Sequence, residues 1–287
     1  MLSMQGRASA AGLTGPGAAI MVDVAGGRSA VADPLRVRPV RNDDQPWNDF
    51  DPVSYHSANY RELHANDRRI LELIADFFAA ARTRRDGRHG LDVGTGTNLY
   101  PTLAMLPSCD AITLVERGGR NLGWLKSQVG RYAESWDPYW ETLVNRQPAY
   151  YKEVGNPRDR LHSLVRVHRG NIFNLHRESY DIGTMFFVAE SITARVTEFA
   201  RATRCFVGSL HRYAPFAAAF MKNSKGYRVG QRDYAAVAVA EDDVDRCLRS
   251  LAHGVEISTI PAGPNPLRHG YDGLILATGY AGRDRRK

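Results

Sequence analysis

The chain has 287 residues, 43% of them hydrophobic and 24% charged, with a formal net charge of +7. That length can bury a substantial core, and no run of about 18 apolar residues offers a membrane-spanning helix. The positive excess is modest and does not by itself argue for a nucleic-acid partner. Cys109, Cys205 and Cys247 lie far apart without a CxxC pair, which argues against a disulfide framework or a zinc cluster and for free buried thiols.

Residues 1–45 are rich in Ala, Gly, Arg and Asp and poor in large apolar side chains. Burial there cannot offset the entropy of ordering, so a mobile extension is expected. Glycine and proline interrupt "AGLTGPGAAIMV" (11–22), a poor signal sequence, and a cytoplasmic protein is expected. A single domain is expected over 46–287, with a helical cap at 46–85 and a sheet core at 86–287. Asp51 before Pro52 is a helix start, an acceptor at the cap followed by proline at the first helical position. A second helix is predicted in "NDRRILELIADFFAAARTRR" (66–85), where Ile70, Ile74, Phe77 and Ala81 recur at helical spacing and Asp67 serves the first turn.

Short apolar runs then alternate with helical ones. "HGLDVG" (89–94) and "DAITLVE" (110–116) read as strands, with helices in "YPTLAMLP" (100–107) and "NLGWLKSQVGRYAESW" (121–136). Further strands are predicted in "SLVRVHRG" (163–170), "YDIGTMFFVA" (180–189), "RCFVGSLHR" (204–212) and "YAPFAAAFM" (213–221). A helix in "AEDDVDRCLRSLAHG" (240–254) precedes a closing pair, "VEISTIPAG" (255–263) and "YDGLILATGYA" (271–281). This alternation predicts a doubly wound, Rossmann-like α/β sheet with helices on both faces and a ligand at the carboxyl ends of its strands.

The stretch "GLDVGTGTNLYP" (90–101) supplies a candidate ligand turn made by Asp92, Gly94, Thr95, Gly96 and Thr97. Glycines there let a ligand touch the main chain. A dinucleotide fingerprint would need glycine at position 99, where Leu99 stands. An acid before the first glycine instead fits the turn that cradles S-adenosylmethionine, with the carboxylate serving the cofactor's cationic end. Glu116 ends the second strand about 20 residues later, where an acid accepts hydrogen bonds from both ribose hydroxyls. Nicotinamide-dinucleotide enzymes use the same device, so Glu116 alone does not separate the two cofactors.

Three stretches resemble the class I S-adenosylmethionine-dependent methyltransferases that act on nicotinamide, phenylethanolamine, indolethylamine and thioethers. They are "FDPVSYHSANY" (50–60), "LDVGTGTNLYPTLAML" with "ITLVERGGRNL", and "MKNSKGYRVGQRDY" (221–234). The resemblance covers Trp47 to the C-terminus. It implies a mostly parallel seven-stranded sheet, S-adenosylmethionine as cofactor and a small-molecule acceptor. It assigns Tyr60 to the methionine carboxylate and Tyr55 to the wall beside the sulfonium methyl. Glu116 and Asn121 would hold the ribose, and Asn171 and Ile172 the adenine. Glu190 would hold a substrate amine, and Tyr227 would help position the reactants. On an ideal helix Tyr55 and Tyr60 stand about 140° apart, so only the resemblance pairs them. Asn59 departs from the family's usual tyrosine, Asn171 from its usual acid. Lys222 stands where phenylethanolamine-type members carry an acid, and the acid that receives nicotinamide's amide is not evident in "APFAAAFMKNS", so the acceptor is expected to be neither molecule. A rim cation at Lys222 would favour an acceptor with a carboxylate, but an exposed lysine is the first expectation.

The implied activity is small-molecule N-methylation in specialised metabolism. O-methylation needs a base for the hydroxyl proton, and no residue announces itself for that role. A nucleic-acid methyltransferase would carry an N/D-P-P-Y/F segment where this chain reads Phe187-Val188-Ala189-Glu190. A non-catalytic cofactor-binding protein is the reading from outside the enzymes.

Overall fold

A computed structural model describes residues 39–81, 88–263 and 270–283. Seven strands form one sheet: β1 His89–Val93, β2 Ala111–Glu116, β3 Val165–Arg169, β4 Ile182–Phe186, β5 Pro215–Lys222, β8 Ala252–Pro261 and β9 Gly273–Ala281. Its order is β3-β2-β1-β4-β5-β9-β8. The first five strands are parallel, and β9 runs antiparallel to both β5 and β8. The sheet is therefore Rossmann-like and mostly parallel, as the alternation predicts. The chain steps outward from β1 to β3 and returns to β4 on the other side of β1. That reversal opens a crevice at the carboxyl ends of β1 and β4, where such sheets take ligands.

Strand β5 shows why the sheet is covered twice. Ala217, Ala219 and Met221 join one hydrophobic cluster, Phe216, Ala218 and Phe220 the other. A run buried on both faces reads as continuously apolar rather than alternating. The first cluster packs under α2 (Ala65–Ala80), α3 (Tyr100–Met105) and α5 (Asp137–Arg146), the second under α8 (Val196–Ser209) and α9 (Glu241–Leu248).

The cap begins with α1 (Pro52–Asn59), where Asp51 Oδ1 accepts from the N–H groups of Val53 and Ser54 at 3.1 Å, as the Asp-Pro signal predicts. Helix α2 buries Ile70, Leu71, Ile74, Ala75 and Phe78, with Phe77 only half-buried. Asp67 stands in the first turn of α2, as expected. It is buried, and its Oδ1 accepts the Tyr100 hydroxyl at 3.1 Å.

Three corrections concern elements. "RCFVGSLHR" is not a strand, because residues 204–209 complete α8, whose buried face carries Phe199, Ala202, Phe206 and Val207 at helical spacing. The chain between 137 and 162, unassigned from sequence, forms α5, α6 (Pro148–Tyr151) and most of α7 (Pro157–Leu164), which also takes Ser163 and Leu164 from the predicted third strand, while α4 (Gly119–Gly130) ends before the predicted 136. A small hairpin, β6 (Gly226–Val229) with β7 (Arg232–Ala235), stands apart from the main sheet.

Residues 39–45, assigned above to the mobile extension, are folded onto the domain, and residues 1–38 lie outside the described residues. The Val40 carbonyl accepts from Ala194 N–H at 2.9 Å and Thr193 Oγ1 at 3.1 Å, and Asn42 N–H donates to Glu198 Oε2 at 2.9 Å. The segment is held through peptide groups rather than apolar burial, so its composition carries no sign of this. Among the described residues no helix is long and apolar enough to cross a membrane. Cys109 is buried, Cys205 and Cys247 are half-buried, and all three are free thiols.

Candidate functional site

The turn after β1 closes on itself before it meets any ligand. Gly94 N–H donates to the Val115 carbonyl at 2.7 Å, and Thr95 Oγ1 donates to the Asp92 carbonyl at 3.1 Å. Gly94 and Gly96 have φ of +68° and +56°, the left-handed region that glycine enters without a Cβ clash. A Cβ on Gly94 would lie 2.6 Å from Val188 Cγ2, so that glycine also lets the loop after β4 pack against the turn.

Glu116, at the end of β2, faces this turn. Its Oε2 accepts from Gly96 N–H at 2.9 Å and its Oε1 from Gly118 N–H at 2.7 Å. Burial pushes its carboxyl upward, countered by the main-chain N–H groups of Gly118, Gly96 and Arg117 and by the Asn121 side chain. The carboxylate is only 5% exposed yet lines a cavity of about 740 Å³, counted with its open mouth.

The cavity lies at the sheet crevice. Of the residues expected from sequence it gathers Tyr55, Tyr60, Gly94, Thr95, Gly96, Thr97, Glu116, Asn121, Asn171, Ile172 and Tyr227. Tyr60 follows the last residue of α1, with φ −135° and ψ 0°, so the helical 140° offset does not apply to it. The Tyr55 and Tyr60 rings stand 6.0 Å apart, centroid to centroid, and Tyr55 and Tyr227 6.4 Å. Burial holds the Tyr60 and Tyr227 phenols well above their usual range, so both stay protonated donors. Tyr227 spends its hydroxyl on the Ser191 carbonyl at 3.3 Å.

Two expected site residues stand behind the wall instead of lining it. Asp92 is buried, and its Oδ2 accepts the Thr102 hydroxyl at 2.6 Å, with Thr184 also bonded to it. Desolvation pushes it up to about 7. It braces the turn rather than facing a ligand. Glu190 is wholly buried, its Oε1 accepting from Met221 N–H at 3.0 Å and Ser191 Oγ at 3.1 Å. Its Oε2 has no partner among the described residues, and burial pushes the carboxyl up to about 7. It lies close enough to raise the Tyr60 and Tyr227 phenols. Lys222 is not a rim cation. Its Nζ is 2.7 Å from Glu241 Oε1, and this contact holds Glu241 down to about 2.

Several lining residues escape sequence reasoning. Asn42 and Trp47 come from the N-terminal strap, residues 39–47, Arg117 follows Glu116, and Phe187 follows β4 with an unusual φ of +59°. Asn98 and Thr97 are buried in the lining, with Asn98 Nδ2 and Thr97 Oγ1 lacking partners among the described residues, as is Asn121 Oδ1. Buried polar atoms of this kind ask for a polar ligand. The Gly96 position is open on its Cβ side, the nearest atoms being 3.7 Å and 4.0 Å away. Main-chain access, a held carboxylate and waiting donors fit the adenosyl and amino-acid parts of S-adenosylmethionine.

No protein-family model matches the chain, and no curated protein matches it by sequence. Solved structures do resemble it. The N-methyltransferase NodS from Bradyrhizobium japonicum, in complex with S-adenosyl-L-homocysteine, has 12% identity over 80% of this chain and 99% of its own, with a TM-score of 0.48. Magnesium protoporphyrin IX methyltransferase from Synechocystis PCC 6803, with bound S-adenosylmethionine, has 11% identity over 81% and 93%, with a TM-score of 0.48. An amino pentose methyltransferase from Micromonospora echinaspora has 15% identity over 79% and 96%, with a TM-score of 0.42. At such identities the likeness is one of fold.

Proposed function

We propose that this chain is an S-adenosylmethionine-dependent methyltransferase acting on a nitrogen of a small molecule, of the kind that methylates nicotinamide, phenylethanolamine and thioethers. The observation that supports it most is Glu116, preset by Gly96 and Gly118 N–H groups inside the crevice. When bound, the cofactor supplies an electrophilic sulfonium methyl, which passes in line to the acceptor and leaves a neutral thioether.

The residues then have positioning tasks. Glu116 and Asn121 take the ribose hydroxyls, and Asn171 with Ile172 the adenine. Thr97, Asn98 and Tyr60 offer donors to the amino-acid end. Tyr55 and Tyr227 wall the acceptor side, and Glu190, buried behind that wall, is not placed to touch the acceptor. A neutral amine needs little further help, and orientation alone supplies about 7–11 kcal/mol of such a barrier. The aromatic wall and the pairing of Lys222 with Glu241 favour an amine over a carboxylate-bearing acceptor. Replacing Glu116 with Ala is expected to weaken S-adenosylhomocysteine binding by about 1.5–3 kcal/mol, the worth of charged hydrogen bonds. Calorimetry showing equal affinity for both proteins would remove Glu116 from the site, and turnover against a panel of amines and phenols tests the acceptor class.

A further inference from the structure

Helix α1 is too short to hold its own end. It has eight residues, and helices below about 12–15 residues are marginal without tertiary support. Its carboxyl end leaves carbonyls that no later turn can satisfy. The chain bends there at Tyr60, which borders the cavity. Tyr60 N–H donates to the His56 carbonyl at 2.8 Å, but the Tyr60 carbonyl needs a donor from elsewhere. Tyr139 on α5 supplies it. Its hydroxyl is shared between the Tyr60 carbonyl at 3.2 Å and the Glu62 carbonyl at 3.0 Å.

Tyr139 is firmly held. It is fully buried, its ring stacks on Tyr100 with centroids 5.7 Å apart, and Trp136 lies 5.1 Å away. Tyr100 is fixed in turn by Asp67. Burial pushes the Tyr139 phenol upward, so its proton stays in place for donation. Tyr100 and Trp136 also flank the Tyr60 ring, at 6.3 Å and 6.2 Å. One platform therefore supports the ring of Tyr60 and, through Tyr139, its main chain. Tyr139 is not among the lining residues, and neither is any other residue of α5.

Resting on the cofactor reading above, we infer that Tyr139 is a positioning residue for the cofactor's amino-acid end. Through the Tyr60 and Glu62 carbonyls it sets the angle at which Tyr60 meets that end. Affinity for the methionine part of the cofactor is then decided in part from α5, a helix that touches no ligand.

The test uses the full chain and two ligands, S-adenosylhomocysteine and methylthioadenosine, which keeps the nucleoside and sulfur but has no amino-acid end. Tyr139→Phe removes one hydroxyl and keeps the ring on Tyr100. It is expected to bind S-adenosylhomocysteine about three- to tenfold more weakly, the worth of one misaimed hydrogen bond, and methylthioadenosine as wild type does. In a Tyr60→Phe background the same change is expected to cost nothing further. Tyr151→Phe loses an equally buried hydroxyl bond, to the Ala104 carbonyl at 3.1 Å. As the control for lost stability it is expected to bind both ligands like wild type. Independently of any variant, the Tyr139 hydroxyl proton, followed by NMR in wild type, is expected to shift with S-adenosylhomocysteine and not with methylthioadenosine. The inference is overturned, and the cofactor reading stands, if Tyr139→Phe weakens both ligands alike or neither. It is also overturned if the loss persists in the Tyr60→Phe background, if Tyr151→Phe shows the same selective loss, or if the hydroxyl proton answers both ligands alike. If wild type binds neither ligand, both readings fall.

Discussion

Three carboxyls, Asp67, Asp92 and Glu190, are buried and pushed up to about 7. Each is held by hydroxyl or main-chain donors that do not neutralise it, so burial wins over hydrogen bonding. Asp67 has the simplest surroundings, with one bond from Tyr100 and an unpartnered Oδ2 among the described residues. Its folded value exceeds its unfolded value of 3.8. The contribution to stability is therefore complete below about pH 4 and is lost as pH rises through about 7, at up to about 1.4 kcal/mol per pH unit. Asp67→Asn keeps an acceptor for Tyr100 and cannot ionise. The variant is expected to gain on wild type between pH 5 and pH 8 in urea melts. An equal difference at both pH values would mean that Asp67 does not carry a raised carboxyl.

At the scale of elements, the turn after β1 is the piece whose geometry is most constrained. Gly94→Ala meets a left-handed φ and the Val188 side chain at once. Strain at the positive φ costs about 1 kcal/mol and overlap about 1–3 kcal/mol. Adding Val188→Ala is expected to recover the overlap and not the strain, a non-additivity that denaturant melts of the single and double variants measure. If the double variant is as unstable as the sum of the singles, Val188 is not what the glycine accommodates. The same elements show what the sequence makes legible. The turn glycines and Glu116 are read from position because main-chain access and a strand-end acid leave few residue choices. "FVGSL" in α8 is a short apolar run that periodicity assigns equally to strand or helix. The hairpin has a signal that was available, the two-residue Gly230-Gln231 loop between Val229 and Arg232, with Gly230 at φ +58°. The strap has none, since hydrogen bonds from Val40 and Asn42 leave no hydrophobic pattern behind. Asp92 lies in β1 and Glu190 four residues after β4, and position along the chain does not reveal which way a side chain turns.

For the whole molecule, the cavity is where segments distant in sequence converge: the strap, the end of α1, the glycine turn and the β6–β7 hairpin. Gln45 pairs with Ala235, its Nε2 donating at 3.0 Å to the Ala235 carbonyl and its Oε1 accepting from the Ala235 N–H at 3.3 Å, so strap and hairpin are already tied to each other. Trp47 and Tyr234 stack across the same junction at 5.6 Å. These pieces lie outside the seven-stranded sheet, which places them toward the low end of local stability. A ligand bridging Asn42, Tyr55, Gly96 and Tyr227 couples them to the sheet. Saturating the protein with S-adenosylhomocysteine at about a hundred times its Kd adds about 2.7 kcal/mol to global stability. Hydrogen exchange is expected to slow in Val40–Phe50 and in Gly226–Ala235 as well as in the turn at 94–98, with β5 and β9 little changed because they are protected beforehand. Protection confined to 94–98 would show that the nucleoside is held by the turn alone, with strap and hairpin serving only as walls of the free protein.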